Sequence, residues 1–240
     1  SRVDIYDNTL DIENKIGEYV GSNALVVSSG TAALHCAYKA IGLKEGDEII
    51  TTPITFVSTQ ATAINLGAIP RFADVEEKTG NIDVNQITKL INSKTKAIVA
   101  VDYAGHPCAI EEIIKIAKQY NLFFIEDAAH SLGSRYKGQR IGSQADLTTF
   151  SFFPTKNITT GEGGAVTSNN IDLLVDNIVC PPIFYYNPID ILTRLTFEFY
   201  TPQGVLFDFN NIDHSFVLEL TMMDNIPQNT GLLSNNSNAR

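Results

Sequence analysis

Basic side chains are scarce in this chain. Its 240 residues include 17 Lys and Arg against 27 Asp and Glu, a formal net charge of −10. Nucleic acid binds through basic patches, so this balance argues against it as a partner. Cysteine is scarcer still. Cys36, Cys108 and Cys180 stand at wide, unrelated spacings, giving neither a zinc ligand set nor a disulfide framework. No metal site is expected, Cys36 falls in an apolar helical pattern that suits packing, and a reducing cytoplasm fits this usage. No apolar run approaches the ~20 residues a bilayer crossing needs, and the opening SRVDIYDN does not resemble a signal peptide. The turn Gly161–Gly164 (GEGG) lacks the GK[ST] ending of a P-loop, and no GxGxxG follows the first strand-like segment. Nucleotide hydrolysis and NAD binding are therefore poorly supported.

What is present describes a globular protein: 44% hydrophobic and 18% charged residues, in a length that permits one large domain or two small ones. Leu10, Ile12, Ile16 and Tyr19 are spaced for a helix over 8–20. Then follow a short buried strand (24–29), an Ala-rich helix closed by Gly42, the strand EIITTP ended by Pro53, and a helix TFVSTQATAIN stopped at Gly67. IPRFADV, a helix near 83–91, KAIVAVDY, the helix IEEIIKIAKQYN and LFFIED continue the alternation. Apolar strands alternating with helices predict an α/β fold of three layers, with a mostly parallel sheet covered on both faces. Crossovers should be right-handed, and ligands should collect at the carboxyl ends of the strands.

The texture changes after residue 180. Eleven lysines precede that point and none follows it, while Asn and aromatics (Phe184, Tyr185, Tyr186, Phe197, Phe199, Tyr200) accumulate. The polar close NTGLLSNNSNAR is expected to be disordered. The expected organisation is a domain over 1–180 and an atypical tail over 181–240.

Two positions carry candidate chemistry. Lys156 lies in a polar loop between an apolar run (147–153) and a second apolar segment opened by Gly163-Gly164. Alone it reads as an ordinary loop lysine. Asp127 ends the run LFFIED, so its carboxylate should emerge at a strand's C-terminal edge, ionised at neutral pH. A helix cap is the alternative, since AAHS follows. Strand alternation sends Glu126 to the opposite face. A lysine and an aspartate at the ends of neighbouring strands can grip opposite sides of one flat cofactor. Ser29-Gly30-Thr31 joins a strand to a helix, where free N–H groups and the helix dipole suit a phosphate, though any helix can begin with such a cap. His35 and His106 have no comparable context.

The motifs SSGTAALH, EDAAHSLG and SFFPTKNITTGEGG, in that order, resemble the DegT/DnrJ/EryC1/StrS sugar aminotransferases, and the resemblance covers about residues 10–178. It implies the aspartate-aminotransferase fold and pyridoxal 5'-phosphate (PLP) as cofactor. Lys156 would bond covalently to the cofactor's aldehyde and later shuttle a proton. Asp127 would hold the pyridine nitrogen protonated. His130 would touch the ring or its hydroxyl, Ser29, Gly30, Thr31 and Ser151 would cup the phosphate, and Phe56 would stack on the ring. The implied reaction moves an amino group from glutamate to a keto carbon of a nucleotide-linked deoxy-sugar, in polysaccharide or glycan biosynthesis. The 4-amino-sugar branch is the nearest, and the dehydratase relatives with histidine at the lysine position are disfavoured. A homodimer is implied as well. Relatives continue into a smaller C-terminal domain, which the resemblance leads one to expect missing or replaced in residues 181–240, as a frameshift or truncated gene would leave it. The alternative is a truncated, non-catalytic remnant or partner subunit. A cysteine-desulfurase-like reading would need a reactive cysteine in a mobile loop, and none is apparent.

Overall fold

A computed structural model describes residues 5–175, with side chains described over 8–174. The expectations for residues 181–240, and the third cysteine, Cys180, lie outside the described residues.

The chain alternates as α1 (Ile5–Val20), β1 (Asn23–Val27), α2 (Gly30–Ala40), β2 (Glu48–Thr51), α3 (Ser58–Asn65), β3 (Ile69–Phe72), α4 (Val84–Leu90), β4 (Thr95–Val101), α5 (Ile110–Tyr120) and β5 (Phe123–Asp127). A two-stranded hairpin, β6 (Arg135–Tyr136) with β7 (Gln139–Arg140), precedes β8 (Leu147–Ser151), β9 (Gly164–Ser168) and α6 (Ile171–Val175). The main sheet has seven strands in the order β1-β9-β8-β5-β4-β2-β3. All neighbours pair in parallel except β9, which runs antiparallel to both β8 and β1.

Local chemistry explains the helix ends. Ser29 caps α2 by accepting the Ala32 N–H, and Asp83 caps α4 by accepting that of Asn85. Helix α5 carries Glu111 and Glu112 in its first turn and Lys118 in its last, matching the helix dipole. Asn121, at φ 53°, then closes it in the left-handed conformation.

Packing follows the two-residue period of the strands. Ile50, Ile98, Ala100, Phe124, Phe150 and Ala165 turn to one face, where Val20 of α1, Ile87 of α4 and Ile113 of α5 cover them. Ile49, Val99, Ile125, Leu147 and Val166 turn to the other, against Ala33, Ala37 and Tyr38 of α2 and Ala63 of α3. Cys36 packs against this second core. The result is the three-layer α/β architecture with a mostly parallel sheet.

Four details differ from the sequence reading. Strand β3 is not covered on both faces: it is an edge strand containing Pro70, with Ile69 45% and Phe72 48% exposed. In α1, Ile16 packs on the core while Leu10, Ile12 and Tyr19 stay exposed. Residues 10 and 12 point roughly 200° apart on a helix, so they cannot share its inner face. Helix α3 starts at Ser58, not Thr55, so Phe56 rides a loop. There the Thr52 hydroxyl accepts the Ile54 N–H beside Pro53, a local bond that competes with helix. After Asp127 the chain turns through Ala128–Ser134 without forming a helix, so His130 sits on a turn.

Central and edge strands should respond differently to truncation. Ile98→Ala, at a fully buried β4 position, should cost about 2–5 kcal/mol in urea unfolding. Ile69→Ala on the exposed edge should stay within about 0.5 kcal/mol. Equal losses would contradict the layer assignment.

Candidate active site

The parallel strands end at a common edge, and a cavity of about 400 Å³ opens there, within the range of small-molecule sites. Its walls come from the β1–α2 junction, the loop before α3, the ends of β4, β5 and β8, and the loop between β8 and β9. All eight sequence-derived residues line it: Ser29, Gly30, Thr31, Phe56, Asp127, His130, Ser151 and Lys156. A larger groove of about 790 Å³ lies at the opposite edge, around Lys96, Lys118 and Asp146, and none of the eight reaches it.

At one end of the cavity, α2 begins. Its Ala32 N–H bonds the Ser29 hydroxyl and its Ala33 N–H the Ser29 carbonyl. The N–H groups of Gly30 and Thr31 precede the helical ladder and face the dipole's positive end. Ser151, the last residue of β8, lies against them: a Cβ on Gly30 would come within 2.7 Å of the Ser151 Cβ. Gly164 makes a similar approach possible from β9, since a Cβ there would meet the Ser29 carbonyl oxygen at 2.6 Å. Both glycines let the β1–α2 turn sit on the ends of β8 and β9. The Thr31 hydroxyl is 2.8 Å from that of Ser58.

At the other end lies Asp127, almost wholly buried. Its Oδ2 accepts from the Thr59 hydroxyl at 2.7 Å and its Oδ1 from the Ala129 N–H at 3.3 Å. Burial pushes its pKa up from the ordinary carboxylate value, opposed by these two donors and by the positive charges of Lys156 and His130. The helix-cap alternative survives only as that Ala129 contact, which closes a turn.

Lys156 is half-buried on the β8–β9 loop. The loop is pinned at its root: the Phe152 carbonyl accepts from the Thr160 N–H and the Thr159 hydroxyl, and the Phe152 N–H donates to Gly163. The Asn157 side-chain amide donates to the Leu132 carbonyl. Burial lowers the Lys156 pKa, and the negative charge of Asp127 acts against that shift. His130 is lowered too, first by burial and then by Lys156, with Asp127 opposing. Phe56 is 74% exposed on its loop at the cavity wall.

Sequence reading missed several groups. Asp102 directly follows β4, and the strand-end argument that found Asp127 could have found it. It lines the cavity and accepts from the Ser131 hydroxyl at 2.6 Å and the Cys108 N–H at 2.9 Å. Burial raises its pKa to about 6. Glu126 turns away from the cavity as expected, and it is fully buried beside Asp102 and Cys108. Burial pushes both Glu126 and Cys108 strongly toward their neutral forms. Ser58 and Thr59 brace the two ends of the cavity. Their hydroxyls carry no sequence signal that separates them from other helix-start residues.

Comparison with known proteins follows this geometry. The chain is 46% identical over 159 residues to GDP-perosamine synthase of Escherichia coli O157:H7, covering 66% of this chain and 44% of that one. It is 46% identical over 168 residues to the UDP-4-amino-4,6-dideoxy-N-acetyl-beta-L-altrosamine transaminase of Campylobacter jejuni, covering 68% and 44%. Among solved structures, the Helicobacter pylori aminotransferase PseC, involved in pseudoaminic acid biosynthesis, superposes with a TM-score of 0.67 at 42% identity, covering 69% of this chain and 45% of that one. The chain thus spans less than half the length of these relatives. A family model matches residues 2–180, and the chain belongs to the DegT/DnrJ/EryC1/StrS aminotransferase family.

Proposed function

We propose that residues 1–180 form the cofactor-binding large domain of a PLP-dependent aminotransferase that moves an amino group from glutamate to a keto carbon of a nucleotide-linked deoxy-sugar. Aminotransferases of this family are PLP-dependent. The observation that carries the reading for this chain is that Lys156 and Asp127 line one cavity, close enough for each charge to shift the other's pKa.

The residues fit the group. The Gly30 and Thr31 N–H groups with the Ser151 hydroxyl suit a phosphate, and glycine at position 30 leaves the space a side chain would fill. Asp127 can accept a ring N–H, since each of its oxygens has one donor and room for another. Phe56 offers a ring face, and His130 offers a nitrogen for a ring hydroxyl. When bound, PLP supplies an electrophilic carbon for amines and a sink for electron density. These residues would bind and orient it, and Nζ of Lys156, its pKa lowered by burial, would present an uncharged amine to that carbon. The same Nζ would move a proton at the substrate carbon.

The family relatives support a nucleotide-linked sugar as acceptor, and the name of the Campylobacter transaminase carries a 4-amino-4,6-dideoxy sugar on UDP. Amination at carbon 4, for polysaccharide or glycan synthesis, is the narrower form of the proposal. Ile54, Phe56, Val57, Phe153 and Ile158 stand exposed on the two loops that wall the cavity. An apolar rim of that kind suits a protein contact, and we assign it to a second copy in a homodimer. Among the described residues no helix is long and apolar enough to cross a membrane. A cytoplasmic location belongs to the proposal.

Purified chain mixed with PLP should develop a visible absorption band that borohydride reduction fixes onto Lys156. Absence of the band, or its persistence in Lys156→Ala, would sink the assignment. Glutamate should bleach the band, whereas a band that glutamate leaves intact favours a non-catalytic remnant or partner subunit. A second prediction concerns pH. Asp127 holds Lys156 protonated against burial, so Asp127→Asn should move the pH midpoint of Lys156 labelling by an amine-directed reagent downward. Peptide mass spectrometry of the unloaded chain reads this, and an upward or null shift contradicts the pairing.

A further inference from the structure

Thr59 bonds Asp127, and Thr55 in turn bonds Thr59. The Thr59 hydroxyl oxygen is 2.7 Å from Asp127 Oδ2 and 2.8 Å from the hydroxyl oxygen of Thr55. A carboxylate only accepts, and a threonine hydroxyl has one proton to give. Thr59 therefore spends its proton on Asp127, and the proton between the two threonines belongs to Thr55. The chain of donation runs one way, Thr55 to Thr59 to Asp127.

Each threonine is tied to a different part of the fold. Thr59 is fully buried, and its main-chain carbonyl accepts the hydroxyl of Tyr38, itself fully buried, at 2.6 Å. Thr55 sits next to Phe56 on the loop that walls the cavity. Adjacent Ser58 bonds Thr31 at the far end of the cavity, so the first two residues of α3 brace both ends. We propose, resting on the functional reading above, that Thr59 is the positioning residue that fixes the Asp127 carboxylate for the cofactor's ring nitrogen, and that Thr55 ties this carboxylate to the Phe56 loop.

Chemistry gives the chain its consequence. A donor bonded to a buried carboxylate stabilises the charged form. Without Thr59's hydroxyl, Asp127 keeps the Ala129 N–H alone as hydrogen-bond donor, turns more freely, and takes up a proton at higher pH. A protonated Asp127 no longer offers an anion to a ring N–H.

The test uses the full chain as wild type, Thr59→Val, Thr59→Ser, Thr55→Val and the double valine variant, with circular dichroism to check folding. In unloaded protein, 13C NMR should follow the Asp127 carboxyl titration. Thr59→Val should move its midpoint upward, and Thr59→Ser should restore it. In the second arm, PLP affinity is read by absorbance titration at pH 8 and pH 6. Thr59→Val should weaken binding about tenfold or more, with the deficit growing toward pH 6, while a merely structural loss would be the same at both. Thr55→Val should have a smaller effect that vanishes when Thr59 is already valine.

An unmoved NMR midpoint in Thr59→Val overturns the proposal, as does a serine variant no better than valine. Full additivity of the two valines overturns the link through Thr55. Wild type that takes up no PLP overturns the functional reading, and the role toward a ring with it, whatever the titration shows. PLP uptake by wild type and Thr59→Val alike removes only the positioning role.

Discussion

An anion buried at the end of a central parallel strand is the constraint on which this site depends. Asp127 shares that region with Asp102 and Glu126, all nearly or fully shielded from water. A charge in such surroundings is costly unless donors or opposite charges meet it. The three acids meet this condition unequally. Asp127 has a hydroxyl, an N–H and the nearby charges of Lys156 and His130. Asp102 has the Ser131 hydroxyl and the Cys108 N–H and thiol, yet burial still raises its pKa to about 6. Glu126 has one hydroxyl, from Thr148, while its Oε1 has no partner. Burial accordingly pushes Glu126 strongly toward its neutral form on the far side of the strand, and the two better-supported acids line the cavity.

The reversed strand β9 makes the opposing wall. Parallel neighbours need a long crossover, whereas an antiparallel pair can be joined by a loop that turns back at the same edge. Because β9 runs against β8, the connection carrying Lys156 stays over the carboxyl ends of β5 and β8. Gly164 then lets the start of β9 sit close to the Ser29 carbonyl. A single inverted strand thus brings the lysine loop and the α2 N-terminus to one cavity.

Much of this was legible in the sequence because it rests on period and position. The strand–helix alternation, the carboxyl-edge placement of Asp127 and the turn of Glu126 to the opposite face all follow from local pattern. The family resemblance supplied Lys156, Ser29, Gly30, Thr31, Phe56, His130 and Ser151, all but Phe56 from the three motifs, and the fold gathers these with Asp127 around one cavity. What escaped depends on contacts between distant segments. Thr59 reaches Asp127 across 68 residues, and nothing local marks it. The exposure of β3 follows from its edge place in the strand order, which periodicity does not encode. The loop start of Phe56 was hidden because TFVST reads equally as helix or as hydroxyl-rich turn.

The opposite fates of Lys156 and Asp127 have one physical origin. Burial disfavours charge on both, lowering the amine's pKa and raising the acid's. What differs is the fixed polar support each receives. Asp127 has two donors set in place by α3 and by its own turn, so the protein opposes its neutralisation. Among the described residues Lys156 Nζ has no hydrogen-bond acceptor, and Asp127 opposes its deprotonation only through space. With no acceptor to hold it as an ammonium, the amine gives up its proton more readily and so bares a lone pair for an electrophile, whereas an anion with anchored donors keeps its charge available to a cation. The proposed function, with an amine at one side of a ring and a charge at the other, asks for both conditions, and uneven hydrogen bonding around one cavity meets them.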